Sequence, residues 1–68
     1  MDSPSLFDAL NSEISRVDAL HRDYLSIGDA GYLGAAMIAA DLSRAKKARS
    51  EMDVAAMMSS YEALKGCE

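Results

Sequence analysis

Residues 26–50 read SIGDAGYLGAAMIAADLSRAKKARS, and the parsing of this stretch decides the fold. Its first six residues hold two glycines and an aspartate. Gly28 can take the left-handed conformation that ends a helix, and Asp29 can cap the one that follows. So short a connection reverses the chain and predicts an antiparallel helical hairpin. Gly31 and Gly34 permit close backbone approach just after the turn, at a propensity cost of roughly 1 kcal/mol each. Beyond them the chain has no proline and is dominated by alanine and other strong helix formers, so it reads as one continuous helix. Residues 32–40 have no charge and no polar face, whereas residues 44–49 hold four of the seven basic residues.

Upstream of the break, Ser3 and Pro4 read as a helix N-cap followed by proline at the first helical position. Phe7, Leu10, Ile14, Val17, His21 and Tyr24 then recur at alternating spacings of three and four, a coiled-coil-like seam. Leu6, Leu20 and Ile27 widen it into a face suited to a bundle. Asp18 and Arg22 are spaced to pair along this helix. Downstream, Ile38, Leu42, Ala45, Ala48, Met52 and Ala55 continue one stripe, and Gly66 marks the end. The reading is one domain over residues 1–68, with helix 1 over 4–27, a turn at 28–31 and helix 2 over 32–65.

These helices are unequal. At 1.5 Å per residue the first measures ~35 Å and the second ~50 Å. The overshoot carries an apolar stripe of its own, Val54, Met57, Met58, Tyr61 and Leu64. A lone hairpin leaves that stripe in water. The expectation is therefore an all-α, four-helix homodimer of hairpins with isologous contacts. Its core and dimer residues are Leu10, Ile14, Val17, Leu33, Ile38, Leu42 and Met52.

Size points the same way. A chain of 68 residues returns about as much from apolar burial as it loses in ordering. Cys67 is the only cysteine, so no disulfide within the chain supplies the difference. With one histidine and one cysteine a zinc or haem site is not expected. The opening MDSPSLFDAL lacks a basic and apolar leader, and the apolar run over residues 30–40 is too short to span a bilayer. A cytoplasmic protein is expected.

No pattern for catalysis, cofactor or metal emerges. His21 sits on the helix 1 seam without a motif that supplies a nucleophile and an acid, so it reads as a packing histidine. GDAGYLG lacks the lysine and the preceding strand of a phosphate loop. The chain is expected not to be an enzyme and to need no cofactor.

Charge suggests the class of partner. The net charge is −4, with six acids and two bases in residues 1–34 and five of each in residues 35–68. An acidic half argues against free nucleic acid and suits a basic protein surface. The basic residues Arg44, Lys46, Lys47 and Arg49 straddle the Ala45–Ala48 stripe as a collar. That collar can be solvated, with Lys47–Glu51 and Arg49–Asp53 as local pairs, can face the acidic helix 1 of a second chain, or can act directly on nucleic acid or an acidic protein, although the aromatic interleaving and net basic charge of a nucleic-acid binder are missing. Tyrosine and methionine supply soft, partly wet contact area. The candidate partner-binding residues are Asp18, Asp23, Tyr24, Tyr32, Arg44, Lys47, Met58 and Tyr61.

The format SPSLFDALNSEISRVDAL, the SIGDAG break and one long alanine-rich helix resembles small early phage proteins that bind and disable host regulators. Those proteins include short, acidic two-helix dimers that inhibit quorum-sensing transcriptional activators or the pilus assembly ATPase. The resemblance covers the whole chain as architecture and carries no functional residue across. It implies a dimeric inhibitor or adaptor in the host cytoplasm that occludes a host protein, plausible targets including the DNA-binding face of a transcriptional regulator. The alternative is a structural or assembly subunit that completes a larger helical bundle.

Overall fold

The computed structural model describes residues 5–67, which form three helices and no strand: α1 (Leu6–Ser26), α2 (Asp29–Glu51) and α3 (Val54–Lys65). The chain is all-α, and one more helix is present than the hairpin reading has.

Helix α1 starts where Ser5 caps it, the Ser5 hydroxyl accepting from the Asp8 amide at 3.1 Å. The expected cap at Ser3 and Pro4 lies outside the described residues. Leu10, Ile14 and Val17 form its buried edge. Leu6, Leu20 and Tyr24 pack beside that edge. Phe7 and Ile27 stay 37% and 60% exposed, so the seam is narrower than its spacing suggests.

The first turn is close to expectation. Gly28 has φ 84° and ψ −143°, a region that only glycine enters freely. Asp29 is not a cap: it is the first residue of α2, where its carboxylate complements the helix dipole. The close approach at Gly31 is real. A Cβ there would lie 2.1 Å from the Tyr24 carbonyl oxygen, and one on Gly34 would lie 2.5 Å from the Tyr24 ring. The two glycines form the seat on which the last turns of α1 rest.

The second turn corrects the reading of a helix over 32–65. Met52 adopts the left-handed conformation, φ 53° and ψ 34°. Its amide bonds back to the Arg49 carbonyl at 3.2 Å, and the Asp53 amide reaches the Ala48 carbonyl at 3.2 Å. This is a Schellman closure built on methionine in place of glycine. Asp53 then caps α3, its carboxylate accepting from the Ala56 amide at 3.2 Å. One residue ends a helix and the next begins another.

The physical reason for the break is the stripe that a straight helix would strand. Folded back, α3 packs against both α1 and α2 and buries Met57, Ser60 and Leu64. Burying two large apolar side chains contributes about 4 kcal/mol, against about 1–2 kcal/mol for a left-handed methionine. Tyr61 is half-buried against the core, while Val54 and Met58 remain exposed. The overshoot that called for a second chain is thus largely covered by the chain itself. The accessible surface is 4559 Å², near the ~4,200 Å² of a compact body this size.

The core joins Leu10, Ile14 and Val17 of α1, Ile38, Leu42, Ala45 and Ala48 of α2, and Met57 and Leu64 of α3. Two expected core residues lie outside it. Leu33 is 73% exposed, because Gly31, Ala35 and Ile38 take the inward face of that part of α2. Met52 is 61% exposed, because the left-handed turn directs it away from the bundle.

Polar side chains set the register. Lys46 reaches Asp18 at 3.4 Å and Arg49 reaches Asn11 at 2.8 Å, both from α2 to α1. Arg16 of α1 donates to the Leu64 and Cys67 carbonyls at 2.9 and 3.3 Å, capping the end of α3, while Glu13 holds its other edge at 2.9 Å.

Candidate functional site

Helix lengths create the site. At 1.5 Å per residue, α2 with 23 residues runs ~34 Å and α3 with 12 runs ~18 Å. The return of α3 along α2 ends near Met37 and Asp41, where Ala63, Gly66 and Cys67 border one groove with them. Beyond that level the bundle is two helices, α1 and the start of α2. A two-helix layer has no third element to cover its sides, and large apolar residues are left in water there: Leu25 at 51%, Tyr32 at 70% and Met37 at 65%, together with Leu33 and Ile27.

This tip has an apolar groove lined by α1 and α2 alone, with His21, Leu25, Tyr32, Ala35, Ala36 and Ala39 on its walls. Arg22, Asp23 and Asp29 are exposed near it. His21 is half-buried and makes no hydrogen bond among the described residues. It also borders a neighbouring cleft with Asp18, Ser43 and Lys46, in which Asp18 and Lys46 are already paired with each other. Among the described residues there is no cluster of three or more potential metal ligands.

The expected partner-binding residues do not share one surface. Tyr32 is at the tip, and Asp23 is exposed at the end of α1, where its backbone carbonyl accepts from the Ser26 hydroxyl at 2.7 Å. Tyr24 is half-buried over Gly34 and serves packing. Met58, 57% exposed, stands on α3 near Met52 and Val54, a second apolar patch toward the other end. Tyr61 is half-buried, with the Lys65 ammonium 5.4 Å from its ring centroid.

Two members of the basic collar reach across to α1, and one pairs along α2 itself. Arg44 pairs with Asp41, Lys46 with Asp18, and Arg49 with Asn11. These contacts replace the anticipated Asp18–Arg22 and Arg49–Asp53 pairs, and the anticipated Lys47–Glu51 pair does not form. Only Lys47 of the four has no polar partner among the described residues. Lys46 and Arg49 thus meet the chain's own α1, at one acid and one amide.

Cys67 is half-buried, its thiol 3.7 Å from a carboxylate oxygen of Asp41. Burial first, and then the charge and hydrogen bonding of Asp41, push the thiol above its ordinary value of 9.0. That is the opposite of an activated nucleophile.

Leu25, Met37, Arg16 and Asn11 were not singled out from the sequence. Leu33 and Met37 are four apart, a spacing that marks a shared helical face. Leu25 follows the last seam position, Tyr24, and its exposure follows only once α3 is known to stop short. No protein-family model, curated protein or solved structure matches the chain. Among the described residues no helix is long and apolar enough to cross a membrane.

Proposed function

We propose that the chain is a non-enzymatic protein-binding module that occludes a functional surface of another protein with its two-helix tip. The observation that carries this is the concentration of exposed large apolar side chains, Leu25, Ile27, Tyr32, Leu33 and Met37, at one end of a 68-residue molecule. Solvent-facing apolar residues scattered singly need no account, but a cluster at one end does. Tyr32 is the expected anchor, because tyrosine buries area while tolerating a wet edge. Asp23 and Asp29 at the rim suit a partner with a basic border. The DNA-binding face of a transcriptional regulator has that character. The proposal of a host regulator comes from the resemblance to phage inhibitors, and α3 departs from the two-helix format of that resemblance.

The test compares variants at the two ends. Ile27→Asp and Tyr32→Ala should each abolish retention of proteins that the wild type captures from a bacterial extract, while Met58→Asp keeps them. The retained partner should associate more slowly as salt rises from low to moderate. Identical captured sets for all three variants would sink the proposal. A structural subunit of a larger bundle is the second reading, favoured by the patch of Met52, Val54 and Met58. It predicts the reverse, with Met58→Asp the damaging change.

A further inference from the structure

The hairpin dimer is expected from sequence in order to cover an overshoot that α3 largely covers by folding back. A different face of the same chain now raises self-association. Helix α2 carries two seams. The inner one, Gly31, Ala35, Ile38, Leu42 and Ala45, is buried in the bundle. The outer one is Asp29, Leu33, Ala36, Ala40, Ser43 and Lys47, with spacings of four, three, four, three and four, and every member is exposed. A three-four alternation is the spacing that keeps one face of a helix against a partner helix.

We infer that this outer face binds a second copy of the same chain, with the two α2 helices antiparallel and the twofold axis level with Ile38. The occupant follows from the charge pattern. In an antiparallel pair centred there, Asp29 of one copy stands opposite Lys47 of the other, and the same contact recurs by symmetry. Ala36 stands opposite Ala40, so the helices approach closely at the axis. Leu33 lies beside the partner's Ser43 and the aliphatic stem of its Arg44, and Met37 flanks the alanines. A parallel pair would set Asp29 against Asp29 and Lys47 against Lys47, which repels. Lys47 is also the one member of the basic collar not engaged with a polar group of its own chain among the described residues, and Asp29 is equally uncommitted. Isologous contacts of this kind close on themselves and leave no open valence. Ala36 and Ser43 also edge the clefts between α2 and α1, and Asp29, Leu33 and Met37 belong to both surfaces, whereas Leu25 and Ile27 lie outside the seam and stay free for the partner proposed above.

Sedimentation equilibrium from micromolar to millimolar concentration decides it. The wild type should dimerise. Lys47→Asp and Asp29→Lys should each weaken the dimer about ten-fold, and the Asp29→Lys/Lys47→Asp double variant should recover to within about three-fold of wild type. Because either charge change also alters a helix end, Ala40→Arg provides a mid-helix control: it should keep full helicity by circular dichroism and sediment as a monomer. Ile27→Asp should leave the dimer intact, which separates this inference from the proposed function. A wild type that stays monomeric through millimolar concentration overturns the dimer and leaves the tip proposal standing. A double variant weaker than either single change, or an Ala40→Arg protein that still dimerises, overturns the antiparallel seam.

Discussion

Two turns join the three helices, and they are built on opposite principles. The first uses Gly28 at φ 84°, with open space around it, and then forces Gly31 against the Tyr24 carbonyl. The second uses Met52 at φ 53°, the one non-glycine residue with positive φ among the described residues, and passes directly to the Asp53 cap. In the first turn the backbone conformation selects the residue. In the second, packing of the following helix imposes a conformation on a residue that does not favour it. The contrast shows where stability resides: the glycine turn is locally encoded, while the methionine turn is held by what α3 buries.

The sharpest way to break this contrast is to remove what α3 buries. Leu64→Ala, at a fully buried position, should destabilise the fold by about 3–4 kcal/mol. It should also raise amide exchange across α3 and at Met52 before α1 and α2 respond. Uniform exchange across the three helices would show that the second turn does not depend on α3.

Next in size is Gly31→Ala. A Cβ 2.1 Å from a backbone oxygen cannot be relieved by a rotamer change, so α1 and α2 must separate. The expected loss is about 2–3 kcal/mol in urea unfolding. Asp53→Ala should cost about 1 kcal/mol by leaving the amides of α3 without their acceptor, with Asp53→Asn recovering most of it. Met52→Gly should work in the other direction. It relieves the left-handed conformation at some cost in unfolded-chain entropy, for a net gain of about 0.5 kcal/mol. Should Met52→Gly prove clearly destabilising, the local strain assigned to the second turn is wrong.

The smallest expected effect reports on where α3 stops. Burial and Asp41 hold the Cys67 thiol protonated above its ordinary range, so iodoacetamide should react more slowly at pH 8–9 than with an exposed thiol of ordinary pKa. Asp41→Asn should speed the reaction. The linkage has a definite sign. A folded-state value above the unfolded one stabilises the fold below the unfolded value, and that contribution disappears as pH rises through the folded one. Stability should therefore decline on the alkaline side of pH 9. An alkylation rate unchanged by Asp41→Asn would show that the last residues of the chain do not rest beside Asp41.

These two turns also explain what could be read beforehand. SIGDAG announces a reversal because glycine and aspartate state their conformational preferences locally. Leu10, Ile14 and Val17, like Ile38 and Leu42, follow from period alone, since each lies on a long amphipathic face. Met52 carries no such signal. Asp53 is a good cap but is equally well spaced to pair with Arg49, and in a run free of proline and glycine nothing local contradicts a continuous helix. The information is non-local: Met57 and Leu64 must find the groove between α1 and α2 before a break between Met52 and Asp53 becomes favourable. Much of the tip was illegible for the same reason, because the exposure of Leu25 and Met37 depends on where α3 ends, whereas Leu33 is exposed by its place on the outer face of α2. The collar misled through its charge. From sequence the collar reads as solvated or as facing helix 1 of a second chain; Lys46 and Arg49 instead reach Asp18 and Asn11 on the chain's own α1, while Arg44 pairs locally with Asp41.

The contacts between α1 and α2 amount to a ruler with three marks. Arg49 meets Asn11, Lys46 meets Asp18, and Gly31 meets Tyr24, spread along almost the whole of α2. Sliding one helix past the other by a single turn would lose all three marks together, so no intermediate offset is tolerated. Insertions or deletions within either helix should therefore be rejected even where the altered residues face water, whereas single exchanges on the outer faces should pass freely. A molecule constrained in this way can vary the chemistry of its tip without changing where the tip points.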